Sequence, residues 1–282
     1  MRIHSSKRST KERRLIVNAD DFGLSTGANH AIIRAHREGI LTSASLMVNE
    51  PGFEEAVALA RENPRLGVGL HLTFLCGHST LPPEKIPGLV NSQCEFDHNP
   101  VRLGFRYFFR RDLKEQLRAE MLAQFEKFRT TGLPLDHVDS HHHLHAHPTI
   151  FRILIESAED LGITHLRLTS EPFGLHARLA LGYRMERLTH TFLYWLLAGR
   201  ARRILSRMDI KHTDAIFGML QDARVDEQYL ERLLPHLPPG VSEIFSHPSI
   251  DVFANEMEAL ISPRIRAQAE SLNIRLIRYQ DI

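Results

Sequence analysis

Cysteine is scarce in this chain: Cys76 and Cys94 are the two thiols among 282 residues, and both fall in one loop-like stretch. That argues against a disulfide scaffold and fits a reducing compartment. Excess charge of either sign is missing as well, with 35 Lys and Arg against 34 Asp and Glu and a formal net charge of +1. Such a balance gives no general electrostatic case for nucleic acid as a partner. No apolar run approaches the roughly 20 residues needed to cross a bilayer, and no short-period repeat or low-complexity linker interrupts the chain. The opening MRIHSSKRSTKERR is basic, but the LIV after it is too short for a signal segment. Residues 1–13 read as a disordered, solvated basic tail on a cytoplasmic protein, in preference to an arm for nucleic acid or membrane.

What is present is a strand–helix alternation. Strand patterns occupy 14–20, 41–49, 66–73, 135–143, 165–170, 214–220, 241–248 and 274–280. Amphipathic helix patterns occupy 27–39, 53–64, 111–132, 149–162, 226–237 and 262–272. Repeated units of this kind predict an α/β fold, a TIM-like and distorted (β/α) barrel of roughly seven or eight mainly parallel strands. Residues 14–282 form a single domain on this reading, and 74–110, rich in Pro, Gly and aromatics, is an inserted loop over the site. The stretch 183–208 has an apolar centre flanked by arginines. It reads as a helix packed on the barrel, with a basic amphipathic element touching a membrane or lipid-like substrate as the sharper alternative.

Chemistry-bearing residues collect at strand ends. Asp20 and Asp21 close the first strand, His71 the third and His247 the strand at 241–248, while DSHHHLHAH (139–147) holds five of the 18 histidines. The C-terminal ends of parallel barrel strands converge on one face. Carboxylate and imidazole gathered there suit Zn²⁺ and other divalent ions, and three protein ligands leave positions open for water and substrate. Adjacent strand residues point to opposite faces, so both aspartates reach one site only if the strand ends or kinks there. Gly23 is the residue that would permit the turn.

The ordered motifs LIVNADDFGLSTGANHAI, GILTSASLMVN, VGLHLT, LDHVDSHHHLH and EIFSHP resemble those of the YdjC-type carbohydrate deacetylases, over roughly residues 14–282. LPPEKIPGLV, FRTTGLPLDHVDSHHH and LLPHLPPGVSEIFSHP look most like the hopanoid-biosynthesis-associated branch, which removes acetyl from an N-acetylglucosaminyl hopanoid. The resemblance implies one divalent metal ion, Mg or Zn ahead of Co, Mn or Fe, held by Asp21, His71 and His141. It implies Asp20 as general base and His247 as general acid, with Asp139, His143 and Arg167 supporting the site or positioning substrate. The substrate would be an N-acetylated amino sugar; a lipid-linked one would bring peripheral contact with the inner membrane surface, and a homodimer is left open. A chito-oligosaccharide deacetylase is the first alternative. Another metal-dependent amidohydrolase or phosphoesterase on the same barrel is the second, although those carry a paired-His motif or a richer carboxylate set where this first strand has Asp-Asp. A non-catalytic metal- or lipid-binding protein is the third, and the presence of both Asp20 and His247 counts against it.

Overall fold

Strand β1 (Arg13–Phe22) is buried on both faces, and the two faces have different chemistry. Leu15, Val17 and Ala19 pack into the main hydrophobic core, while Asn18 and Asp20, on the alternate positions, join a buried polar column. Around this strand the computed structural model, which describes residues 12–172, 175, 197–219, 221 and 224–282, builds a seven-stranded sheet. The other strands are β2 (Ser43–Leu46), β3 (Gly67–Leu72), β4 (Val138–Ser140), β5 (Ala215–Phe217), β6 (Gly240–Ser246) and β7 (Ile274–Leu276). Their order is β4-β3-β2-β1-β6-β5 with β7 on β1, and every pairing is parallel.

The sheet curls. Residues 164–170 carry no strand of their own, yet they link its two edges. Arg167 N donates to Val138 O at 3.0 Å, Leu166 N to Lys211 O at 3.0 Å and Ile216 N to Ser170 O at 3.1 Å. The result is an α/β fold that resembles a distorted barrel with seven parallel strands. Expected strand 165–170 is thus reduced to bridges, and 135–143 to the three residues of β4.

Helices α1 (Thr26–Glu38), α2 (Phe53–Glu62), α4 (Lys114–Thr130) and α5 (Pro148–Glu156) follow the sequence pattern closely. Ser25 caps α1 by accepting from Ala28 N at 3.2 Å. The insertion 74–110 is not all loop. It contains α3 (Pro100–Phe109), capped by Asn99 and opened by Pro100, which its Phe and Arg content disguised. Of the arginine-flanked stretch, residues 183–196 lie outside the described residues, as do residues 1–11 of the basic tail. Residues 197–207 are helical, with Ala198, Ala201 and Leu205 buried. Among the described residues no helix is long and apolar enough to cross a membrane.

Candidate active site

The Asp-Asp pair is split by a kink. The β1–β2 register shifts between Ala19 and Phe22, and Asp21 itself takes φ 63°. Left-handed backbone at a non-glycine residue is unfavourable and is held here by what surrounds it. Gly23 completes the turn at φ 92°, where an added Cβ would come within 2.8 Å of Met47 O. Asp20 therefore keeps its inward strand direction while Asp21 swings over the end of the sheet. The turn expected at Gly23 begins two residues earlier.

Asp21 meets two histidines. Its Oδ1 lies 2.9 Å from His141 Nδ1 and 3.3 Å from His71 Nε2. His71 sits in β3 opposite Asp139 of β4, and that register places Asp139 Oδ1 2.8 Å from His71 Nδ1. A carboxylate on one ring nitrogen fixes the ring and points the other nitrogen outward, as second partners of metal-binding histidines do. Burial favours a neutral His71 ring, but the Asp139 charge and hydrogen bond, together with Asp21 and Asp20, push its pKa up to about 10. Burial likewise opposes charge on Asp21, yet the His141 and His71 contacts hold its carboxyl well below the usual range. Asp21, His71 and His141 each direct one ligand-type atom to a common point, all within 4.8 Å of one another. Two imidazoles and one carboxylate are a donor set that a divalent cation accepts.

A second trio, Asp20, His71 and Asp139, is just as compact, but its two carboxylates face a cation the chain already supplies. Arg167, fully buried, binds both Asp20 oxygens at 2.7 Å, reaches Asp139 Oδ2 at 2.5 Å and Glu243 Oε1 at 2.7 Å, and lies 5.1 Å from the centre of the Phe245 ring. Burial works against this guanidinium's charge, but the three carboxylates raise its pKa well above the ordinary value. Arg167 in turn leads, with His71, in holding Asp139 far below the usual carboxylate range against its burial.

The network continues beneath the site through residues the motifs did not flag. Asn18 Nδ2 donates to Asp20 Oδ1 at 2.8 Å and to Ser45 Oγ at 2.9 Å, and Ser45 Oγ donates to Asp139 Oδ2 at 2.9 Å. Tyr279 hydrogen-bonds Glu243 from the chain's last turn. Glu243 in the middle of the apolar VSEIFS strand was the available signal, because a carboxylate there must have a buried partner.

The other expected site residues are also placed. His141 leaves the strand: residues 141–146 form a 3-10 turn in which His142 and His143 have φ 51° and 55°. His143 is half-buried with its ring edge-on to Phe245 at 4.9 Å; desolvation, then Arg167 and His145, hold its pKa well below the usual value. Its ring is therefore neutral and lies against Phe245. His247 follows β6, its backbone N–H donates to Glu256 Oε2 at 2.5 Å, and its charge contributes to the low pKa of Asp21.

The profile of the YdjC-like proteins matches residues 14–271. The chain belongs to the YdjC-like family. Among curated relatives of this YdjC-like chain, the carbohydrate deacetylase of Brevibacillus brevis is 47% identical over 147 residues, 52% of this chain and 56% of that protein. The chitooligosaccharide deacetylase of Proteus mirabilis is 44% identical over 151 residues, 51% and 55% of the two chains. In both, the chain spans about half the length of the relative it matches. The carbohydrate deacetylase of Clostridium beijerinckii is 29% identical over 275 residues, 95% of this chain and 100% of its own. A solved structure from Enterococcus faecalis V583, named for cellobiose-phosphate cleavage, superposes with a TM-score of 0.73 at 25% identity, covering 96% of this chain and 98% of that one.

Proposed function

We propose that this YdjC-like chain is a metal-dependent N-deacetylase that hydrolyses the acetamide of an N-acetylglucosamine-type sugar, with an N-acetylglucosaminyl hopanoid as substrate. The observation that carries the reading is the meeting of Asp21, His71 and His141 beside an Arg-held Asp20. The carbohydrate deacetylase and chitooligosaccharide deacetylase names of its relatives support it. The substrate's lipid part rests on the branch resemblance of the sequence.

Asp21, His71 and His141 would hold the divalent cation, which when bound acidifies water and polarises the acetamide carbonyl. The rest falls to the chain's own side chains. An ionised carboxylate has about four acceptor positions, and Asp20 spends three, two on Arg167 and one on Asn18. The remaining position takes the proton of the attacking water. Arg167 fixes the plane of Asp20, so that free position has one direction. As the new C–O bond forms and the C–N bond breaks, His247 gives a proton to the departing amine nitrogen, leaving acetate and the free amino sugar.

Acetate release from N-acetylglucosaminyl hopanoid and from N,N′-diacetylchitobiose tests the reading, before and after chelation. Turnover of the hopanoid that chelator abolishes and cation restores is the expected result. Rapid release from chitobiose alone overturns the lipid version and leaves the chito-oligosaccharide reading; no acetate from either substrate with cation present overturns deacetylation.

Cation binding also has a predictable pH dependence. With a folded-state pKa of about 10, His71 carries a proton at neutral pH in the cation-free protein, so binding must expel it. Affinity is expected to rise roughly tenfold per pH unit between about pH 7 and 9, with one proton released. Titration calorimetry in buffers of different ionisation enthalpy reads this directly. His71→Ala should remove the proton release and most of the affinity; a pH-independent affinity in the unsubstituted protein would remove His71 from the ligand set.

A further inference from the structure

Ten large hydrophobic side chains are exposed among the described residues, and seven lie in the first loop or helix after the C-terminal ends of three strands. Leu24 follows β1, four residues of α3 follow β3, and Ile250 and Val252 follow β6. Those strands are the ones that deliver Asp20 and Asp21, His71, and His247. Exposed apolar side chains therefore collect on the segments that follow the strands of the site, and among the described residues Leu122 on α4, Met208 and Leu276 are the other three.

Helix α3 is its centre. Leu103 and Tyr107 face inward, and the Tyr107 hydroxyl donates to Phe74 O at 3.0 Å. The outward face, where a helix turned to water carries polar groups, presents Val101, Phe105, Phe108 and Phe109 at 63, 62, 55 and 68% exposure. Phe105 stacks on Phe109 at 6.1 Å and Phe108 meets Phe109 edge-on at 5.0 Å, so the rings form one patch. The patch is anchored to the site: His147 Nε2 hydrogen-bonds Gly104 O at 3.1 Å, and Thr149 Oγ1 donates to Tyr107 O at 2.8 Å. Both residues lie just beyond the turn that carries His141.

The charge around the patch is positive. From Glu95 to Asp112, four arginines (Arg102, Arg106, Arg110 and Arg111) stand against Glu95, Asp97 and Asp112, a local excess of one positive charge. Arg102 and Arg106 share Asp97, and Arg110 takes Asp112. Among the described residues no carboxylate lies within 4 Å of Arg111. Phenylalanines have no polar tip for sugar hydroxyls, whereas apolar rings beside arginines match the boundary between acyl chains and anionic headgroups.

We propose that this face docks the protein on a membrane surface bearing anionic headgroups, with α3 in the interface and the mouth of the site turned toward the lipid. The proposal shares the position of the mouth with the proposed function, but docking needs no turnover and holds for any sugar the site accepts.

Co-sedimentation of the full chain with phosphatidylcholine vesicles, with and without phosphatidylglycerol, tests it. The chain should bind the phosphatidylglycerol vesicles, less so at raised salt. Replacing Phe105, Phe108 and Phe109 together by Ser should weaken binding at least tenfold. It should leave the melting temperature and the hydrolysis of a water-soluble N-acetylated sugar unchanged. Arg111→Glu, which removes no apolar surface, should weaken binding to the anionic vesicles and provides an independent test. Failure to bind either vesicle overturns the proposal, as does equal binding by all variants. A dimer that the triple substitution converts to monomer also overturns it, because the face would then be a subunit interface.

Discussion

Arg167→Met is expected to destabilise the fold by about 3–5 kcal/mol, the range for removing one partner from a buried ionic cluster. The side chain is fully buried and touches Asp20, Asp139 and Glu243. Methionine fills much of the volume but leaves those carboxylates facing one another without a cation. They respond by taking up protons, so their folded-state pKa values move above the unfolded ones. A raised folded-state pKa means that the charged form opposes folding, and the penalty grows as pH rises. In the unsubstituted protein the sign is reversed for Asp139. Its depressed pKa contributes stability above the unfolded value near 4, which is lost as pH falls. The difference between the two proteins should therefore be larger near pH 8 than near pH 4, because the penalty in the variant grows over that range, and should shrink further only below pH 4, where the Asp139 contribution is lost. Urea unfolding across that range reads it. A constant difference would mean that Arg167 acts as packing alone, and no difference would mean that it does not hold the site together.

Asp20→Asn is expected to lower kcat by about 10²–10⁴, the range for removing a positioned general base, while the cation remains bound with nearly unchanged affinity. The amide oxygen still accepts one Arg167 N–H, but the amide nitrogen is turned toward a second donor. That mismatch costs about 1–3 kcal/mol, which a domain of ordinary stability survives at 25 °C. Cation affinity and kcat measured on the same preparation separate the roles. Loss of the cation would make Asp20 a ligand, and near-normal kcat with cation bound would place the base elsewhere. Arg167 and Asn18 take three of its acceptor positions, which is the ground for proposing Asp20 as the base and not as a ligand.

Much of this architecture follows from local pattern. Strand–helix alternation, the parallel sheet and the burial of LIVNAD come from which residues are apolar and at what spacing, because local burial sets that spacing. His71, Asp20 and Asp21 could be named from sequence because they end apolar strands, where a polar group has to be explained by a partner. What those partners are is a tertiary matter. Arg167 and Asp20 are 147 positions apart and Arg167 and Glu243 are 76 apart, and no periodicity carries information over such distances. The 3-10 turn that removes His141 from β4 and the left-handed Asp21 are local strains held in place by the folded surroundings. Helix α3 was hidden for the same reason: with Phe on its solvent face it has the composition of a buried segment, and only the packed structure shows which side is left uncovered. Local pattern is enough to gather carboxylates and histidines at one end of a parallel sheet. How they divide comes from long-range packing: Asp21, His71 and His141 draw together, and Asp20 is bound to Arg167. The physical reason is that hydrophobic pattern sets which residues are buried, whereas charge pairing depends on which distant chain segments the fold brings within about 3 Å.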